Sequence, residues 1–210
     1  NISVNGLTAS LFGQPVALEL AGNQLSDEYL LDIELSGNWA AQPLIEKVNP
    51  AFADYLSGDA QWRTDVSVSL GKNGFQYNAS MTSELAGVES RLPAPFYKDA
   101  MTVKQLMVLV DGDQDVSDIT LNVGNDISFS GVLPHDTKQF AGAHLALGNS
   151  DIVGLGTGFS ISAAMPEVDV ARWYHVIDLL IGGLSSDSVQ TARATKQPGY
   201  FSVPQRIFVE

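Results

Sequence analysis

Asp111, Asp113 and Asp115 have the side chains and the alternate spacing with which a calcium-binding loop begins. Such a loop needs glycine at its sixth position and a bidentate glutamate at its twelfth. Val116 and Asn122 stand there instead, so the stretch predicts a solvated hairpin turn. Gly154, Gly156 and Gly158 resemble a dinucleotide-binding loop, but the last glycine of that fingerprint falls on Phe159. A strand pattern follows, whereas a pyrophosphate site needs a helix N-terminus, so a bulged turn is expected. His135, His144 and His175 fall on a turn, a strand and a helix, and none has another His at helical spacing. They are expected to be ordinary surface or core histidines. The chain has no Cys, which excludes a thiolate nucleophile, a disulfide framework and any Cys-based zinc site. No Gly-x-Ser-x-Gly elbow is present to carry a serine nucleophile. Asn78-Ala79-Ser80 matches a glycosylation sequon but lies within a strand pattern. No catalytic, cofactor or metal site is expected, and the chain is not expected to be an enzyme.

What must position the remaining side chains is a set of strands. Alternation with period two, the mark of half-buried strands, recurs along the chain. Tyr29, Leu31, Ile33 and Leu35 alternate with Leu30, Asp32, Glu34 and Ser36; Trp62, Val66, Val68 and Leu70 oppose Arg63, Asp65, Ser67 and Ser69. Phe75, Tyr77, Ala79 and Met81 form a third run. Val16 to Leu20, Ile119 to Val123, Ile127 to Leu133 and Phe159 to Ala163 add four more. Turn signals at Ala21-Gly22-Asn23, Gly71-Lys72-Asn73-Gly74, Asp111-Gly112-Asp113 and Gly124-Asn125-Asp126 separate them. Strands joined so briefly must be antiparallel neighbours, which predicts a mainly β fold built as an antiparallel meander.

Two short helical segments interrupt the pattern. One spans 43–56, where Leu44, Val48, Phe52 and Tyr55 make a stripe that Pro50 must break. The other spans 169–181, with Val170, Trp173, Ile177 and Leu180 on one side and Gly182-Gly183 ending it. These features divide the chain into a first strand block at 1–91, a Pro-rich crossing linker at 92–98 and a second block at 99–183. An irregular loop at 184–204 and the start of a further strand at 205–210 follow, that strand with nothing after it to pair with. Pro93 and Pro95 keep the linker out of any central strand, and Lys98 is expected to be its solvated end.

The 210 residues include 24 acidic and 11 basic ones, a formal charge of −13. Such a chain repels phosphate backbones, so nucleic acid is not an expected partner. No apolar run reaches the roughly 20 residues that span a bilayer as a helix.

The string Leu85-Ala86-Gly87-Val88-Glu89-Ser90-Arg91-Leu92-Pro93-Ala94-Pro95-Phe96-Tyr97-Lys98 closely resembles a G-V-x-S-x-L-P-x-P-x-x-K stretch of the YhdP family, large AsmA-like envelope proteins of Gram-negative bacteria. Leu11-Phe12-Gly13-Gln14-Pro15, Leu35-Ser36-Gly37-Asn38-Trp39, Leu56-Ser57-Gly58 before Trp62, and Val203-Pro204-Gln205-Arg206-Ile207 agree with it. The resemblance covers nearly the whole chain and implies an internal, periplasmic segment of a longer protein anchored in the inner membrane. It implies a hydrophobic β-groove that moves phospholipid between the inner and outer membranes. It carries no catalytic residue and no residue-level binding motif.

An apolar face on nearly every strand needs a cover. One curved sheet would leave that face as a hydrophobic groove for phospholipid acyl chains. Two sheets would cover one another as a closed β-sandwich, giving a structural or adhesive module with no ligand. Alternation alone is the same in both. In the groove reading the lipid-lining residues are Leu31, Ile33, Val66, Val68, Tyr77, Met81, Leu121, Ile127, Phe129, Phe159 and Ile161. The remainder of the same chain would then be the neighbour at each sheet edge, where copies could also pair with one another.

Overall fold

The computed structural model describes residues 2–25, 27–48, 50–94, 96–148, 156–164, 173–174, 176 and 206–209. Eleven strands form one curved sheet that does not close into a barrel. In chain order they are β1 (Ile2–Leu11), β2 (Gln14–Gln24), β3 (Tyr29–Ala40), β5 (Asp59–Gly71), β6 (Gly74–Ser83), β8 (Leu106–Asp113), β9 (Val116–Val123), β10 (Ile127–Pro134), β11 (Gly142–Gly148), β12 (Gly158–Ala164) and β13 (Arg206–Val209). Their order across the sheet is their order along the chain. The two remaining strands, β4 (Leu56–Ser57) and β7 (Glu89–Ser90), pair with each other outside it.

The meander holds from β1 to β11, every pair antiparallel. It then fails. β11 pairs with β12, and β12 with β13, in parallel, so the sheet is mixed. The short-turn argument reaches only strands joined by short turns, and residues 149–157 and 165–205 separate these three. The last strand, read as having nothing after it to pair with, pairs in parallel with β12, which precedes it. A closed sandwich is also overturned: among the described residues no second large sheet faces the first. Two turn positions shift as well. Ala21 to Asn23 continue β2, and Asp111 to Asp113 continue β8, with the reversals a few residues later.

The expected break at Pro50 is present. Helix α1 (Ala41–Val48) stops before it and a 3-10 helix occupies Pro50–Tyr55, because proline has no N–H to continue the ladder. Of the helix read at 169–181, Trp173, Tyr174 and Val176 are helical and the rest lies outside the described residues, as does the loop at 184–204. The described residues of 92–98 lie outside the large sheet, in the connection between two strands, β6 and β8, that pair directly with each other. There the chain turns back, Phe96 N–H donating to Pro93 O (3.0 Å), and Ser90 and Lys98 exchange backbone hydrogen bonds of 2.7 and 3.0 Å.

Candidate functional site: an apolar sheet face and the cavity under its cap

Residues paired across neighbouring strands share a face of a sheet. One row therefore runs Leu35, Thr64, Met81, Val108, Leu121, Phe129, Leu145, Ile161 across eight strands from β3 to β12. The adjacent row runs Ile33, Val66, Ala79, Val110, Ile119, Gly131, Ala143, Phe159. Leu31, Val68, Tyr77, Gly112, Ser117 and Leu133 make a third, and Trp62, Ser83, Leu106, Val123, Ile127 and Leu147 a fourth on the opposite side. All eleven residues singled out from the sequence fall in these four rows, on one face. Each is half-buried, and no large side chain in the described structure is completely enclosed.

The opposite face is polar. Arg63 Nη2 pairs with Glu34 (2.7 Å), Ser67 Oγ donates to Asp32 (2.9 Å), and Asn78, the sequon residue, donates to Asp111 (2.6 Å). Asp113, from the triplet of alternate aspartates, accepts the backbone N–H groups of Asp115 and Val116. Those bonds hold its carboxyl below the usual range, and they make the segment a turn. Among the described residues no group of three or more His, Cys, Asp or Glu could hold a metal ion.

Among the described residues the apolar face is covered at one side only. Val16, Trp39 and Trp62 form a buried cluster against which Leu44 of α1, Leu35 and Met81 pack. Phe96, Trp173 and Val176 form a second, over Ile127 and Leu147, with Phe52, Tyr55 and Leu92 against it. Phe96 meets Trp173 edge-on with ring centroids 5.4 Å apart, and Trp173 Nε1 donates to Ala94 O (2.9 Å). The cap thus consists of α1, the 3-10 helix and the described residues of the 84–104 and Trp173 segments. Two glycines let its strands meet: a Cβ on Gly87 would lie 2.5 Å from Asp59 O, and one on Gly58 only 2.0 Å from Gly87 O.

Between cap and sheet lies a cavity of about 410 Å³, within the usual range of ligand pockets of roughly 300–1,000 Å³. Its floor is Trp62, Met81, Leu106, Leu121, Val123 and Ile127; its roof is Leu44 and Ile45 of α1 together with Val88, Leu92 and Phe96. Three of the expected residues, Met81, Leu121 and Ile127, are thus brought together here, while the other eight lie outside the cavity on the same face. The roof could not be read from alternation, because its residues belong to no long strand. The signals for the cap were the helical stripe with Leu44, Phe52 and Tyr55, and the tryptophans as large side chains beside small helical segments.

Lys98 overturns its expectation. It is 6% exposed and lines the cavity, its Nζ donating to Val88 O (2.6 Å) and Asp99 O (3.2 Å). The backbone pairing of residues 90 and 98 turns the side chain inward, and burial pushes its pKa below the ordinary 10.5. Lys104, also on the cavity wall, is neutralised by an ion pair with Asp126. Trp39 Nε1 donates to Pro15 O (2.8 Å), whereas the buried Trp62 Nε1 has no partner among the described residues.

The YhdP protein family matches this chain over residues 1–208. The chain belongs to the YhdP family. It is 33% identical, over 126 residues, to the Intermembrane phospholipid transporter YhdP of Escherichia coli (strain K12), which covers 59% of this chain. The chain spans about 10% of the length of that curated YhdP relative. No solved structure matches it.

Proposed function

We propose that this chain is a periplasmic segment of an inner-membrane-anchored lipid transport protein, and that its apolar sheet face is a groove for phospholipid acyl chains. The observation that carries the reading is the register. Four adjacent, mainly apolar rows lie on one face, and in them Leu31, Ile33, Val66, Val68, Tyr77, Met81, Leu121, Ile127, Phe129, Phe159 and Ile161 are only half-buried. A contiguous apolar surface of that kind is uncommon on a protein unless something binds it. Burying each such side chain is worth roughly 1.5–3 kcal/mol, so water is a poor cover for it. Acyl chains cover it without directional bonds and can slide along the rows. Membership of the YhdP family and the phospholipid transporter among its relatives support the same cargo. The remainder of the long chain would continue the groove from the sheet edges.

The test is Val68→Asp, Met81→Asp and Phe129→Asp, made singly. In a groove, water reaches each new carboxylate, so the variants fold while photocrosslinking to phospholipid drops. In a closed core each charge is isolated and unfolds the protein. Unfolding by all three changes sinks the groove. Extraction of the purified protein with organic solvent, followed by mass spectrometry, should also yield phospholipid.

A further inference from the structure

Within the groove reading, on which this rests, one residue does not suit a surface that merely slides acyl chains. Lys98 is a nearly enclosed cation in the wall of an otherwise apolar cavity. Its two hydrogen bonds go to backbone carbonyls, leaving one ammonium N–H without a partner among the described residues. No carboxylate lies within ion-pair distance of it there, although the chain carries 24 acidic residues. Burying an unpaired charge is costly, and a purely structural role would be served by an apolar side chain of the same length. Beside it, Lys104 is already matched by Asp126, so among the described residues lining the cavity Lys98 alone has positive charge to offer.

We propose that the cavity under the cap holds the anionic end of one amphiphile, with the Lys98 ammonium as its counter-ion. The apolar walls take the first part of the acyl chain. Met81 and Leu121 belong both to the cavity floor and to the central row of the sheet face, so the chain continues directly onto the groove. The occupant follows from complementarity: the walls exclude a fully hydrated ion, and the charge favours an anionic lipid over a neutral one. Burial holds the Lys98 pKa down, and a bound anion would raise it again.

The experiment compares two lipids that differ only in the phosphate: tritiated phosphatidic acid and the matched diacylglycerol, presented in neutral detergent micelles to the purified full-length protein. Photocrosslinking is read from benzoylphenylalanine placed at Ile45, in the cavity roof, or at Val66, on the open sheet face. At Ile45, phosphatidic acid should be captured on the order of tenfold more than diacylglycerol. Lys98→Met should bring the two to parity, and Lys98→Arg should keep the preference. At Val66 the two lipids should crosslink equally. Equal capture at Ile45 in the unaltered protein overturns the proposal without recourse to any variant. So does a preference that survives Lys98→Met, or displacement by inorganic phosphate as effective as by phosphatidic acid. Capture at Val66 but not at Ile45 removes the cavity site and leaves the groove standing. Capture at neither position removes both.

Discussion

His144 is the residue whose surroundings give the sharpest consequence. It is 3% exposed and lies on the polar side of β11, with Nδ1 2.7 Å from Ser160 Oγ and Nε2 2.9 Å from Ser162 Oγ. It thus ties β11 to β12 where the pairing is parallel. Burial pushes its pKa below the ordinary 6.5. Between the folded value and 6.5 the unfolded chain binds more protons than the native one, so stability rises with pH through that window and is lost as pH falls. The urea midpoint should therefore decline as the pH drops below 6.5, and His144→Gln should flatten that part of the profile. An identical slope in the variant would show that another group is responsible. His135 is positioned differently. Its Nδ1 donates to Gln114 O (3.0 Å), so in the neutral ring Nε2 accepts from Ser117 Oγ (2.6 Å), which in turn meets Tyr77 Oη at 2.5 Å. This polar chain begins at Tyr77 and Ser117 in the third row and closes the rows on the side away from the cap.

At the scale of elements, strands were legible in proportion to how unequal their two faces are. β3, β5 and β6 alternate cleanly because one side is apolar and the other carries Asp32, Glu34, Arg63 and Asn78 in water. β8 hides its period, since Met107 and Leu109 put apolar groups on the polar side too. β11 hides it for another reason: Ala143, His144 and Ala146 are buried, so both faces are covered. In β1 a register shift between Val4 and Leu7, with Gly6 at φ 71°, breaks the parity midway. The apolar face was therefore readable and the cap only in its helical stripe, because Lys98, Val88, Leu92 and Phe96 are placed by loop pairing. Close packing within the face can be tested at Gly112. Tyr77 lies across it, and a Cβ there would sit 2.7 Å from the Tyr77 ring, which Ser117 holds in place. Gly112→Ala should cost about 1–3 kcal/mol by overpacking. In a Tyr77→Ser background most of that cost should vanish, giving a clear coupling energy in urea denaturation. Additive effects would refute the contact.

At the scale of the whole molecule, the sheet is open and its terminal strands have one free side each among the described residues. β1 is the more vulnerable. Residues 3–11 are exposed throughout, and Ile2–Leu11 contains no charged residue and no proline. Lysines, prolines and short length are the usual protections of an edge, and of the available devices only the irregularity at Gly6 is present. Such an edge suits a strand that is continued by more sheet, and it invites pairing when nothing else is there. The isolated chain should therefore self-associate through β1 as its concentration rises, which sedimentation velocity would register. Ser3 and Thr8 pair with Ala21 and Ala17, placing their side chains on the polar face, away from the apolar rows. Ser3→Lys and Thr8→Lys together should shift the chain towards monomer by charging the edge while leaving the apolar face intact. Association that ignores both lysines but disappears on adding neutral detergent would move the contact from the edge to the apolar face. A chain that stays monomeric at every concentration would show that β1 is protected by its irregularity alone.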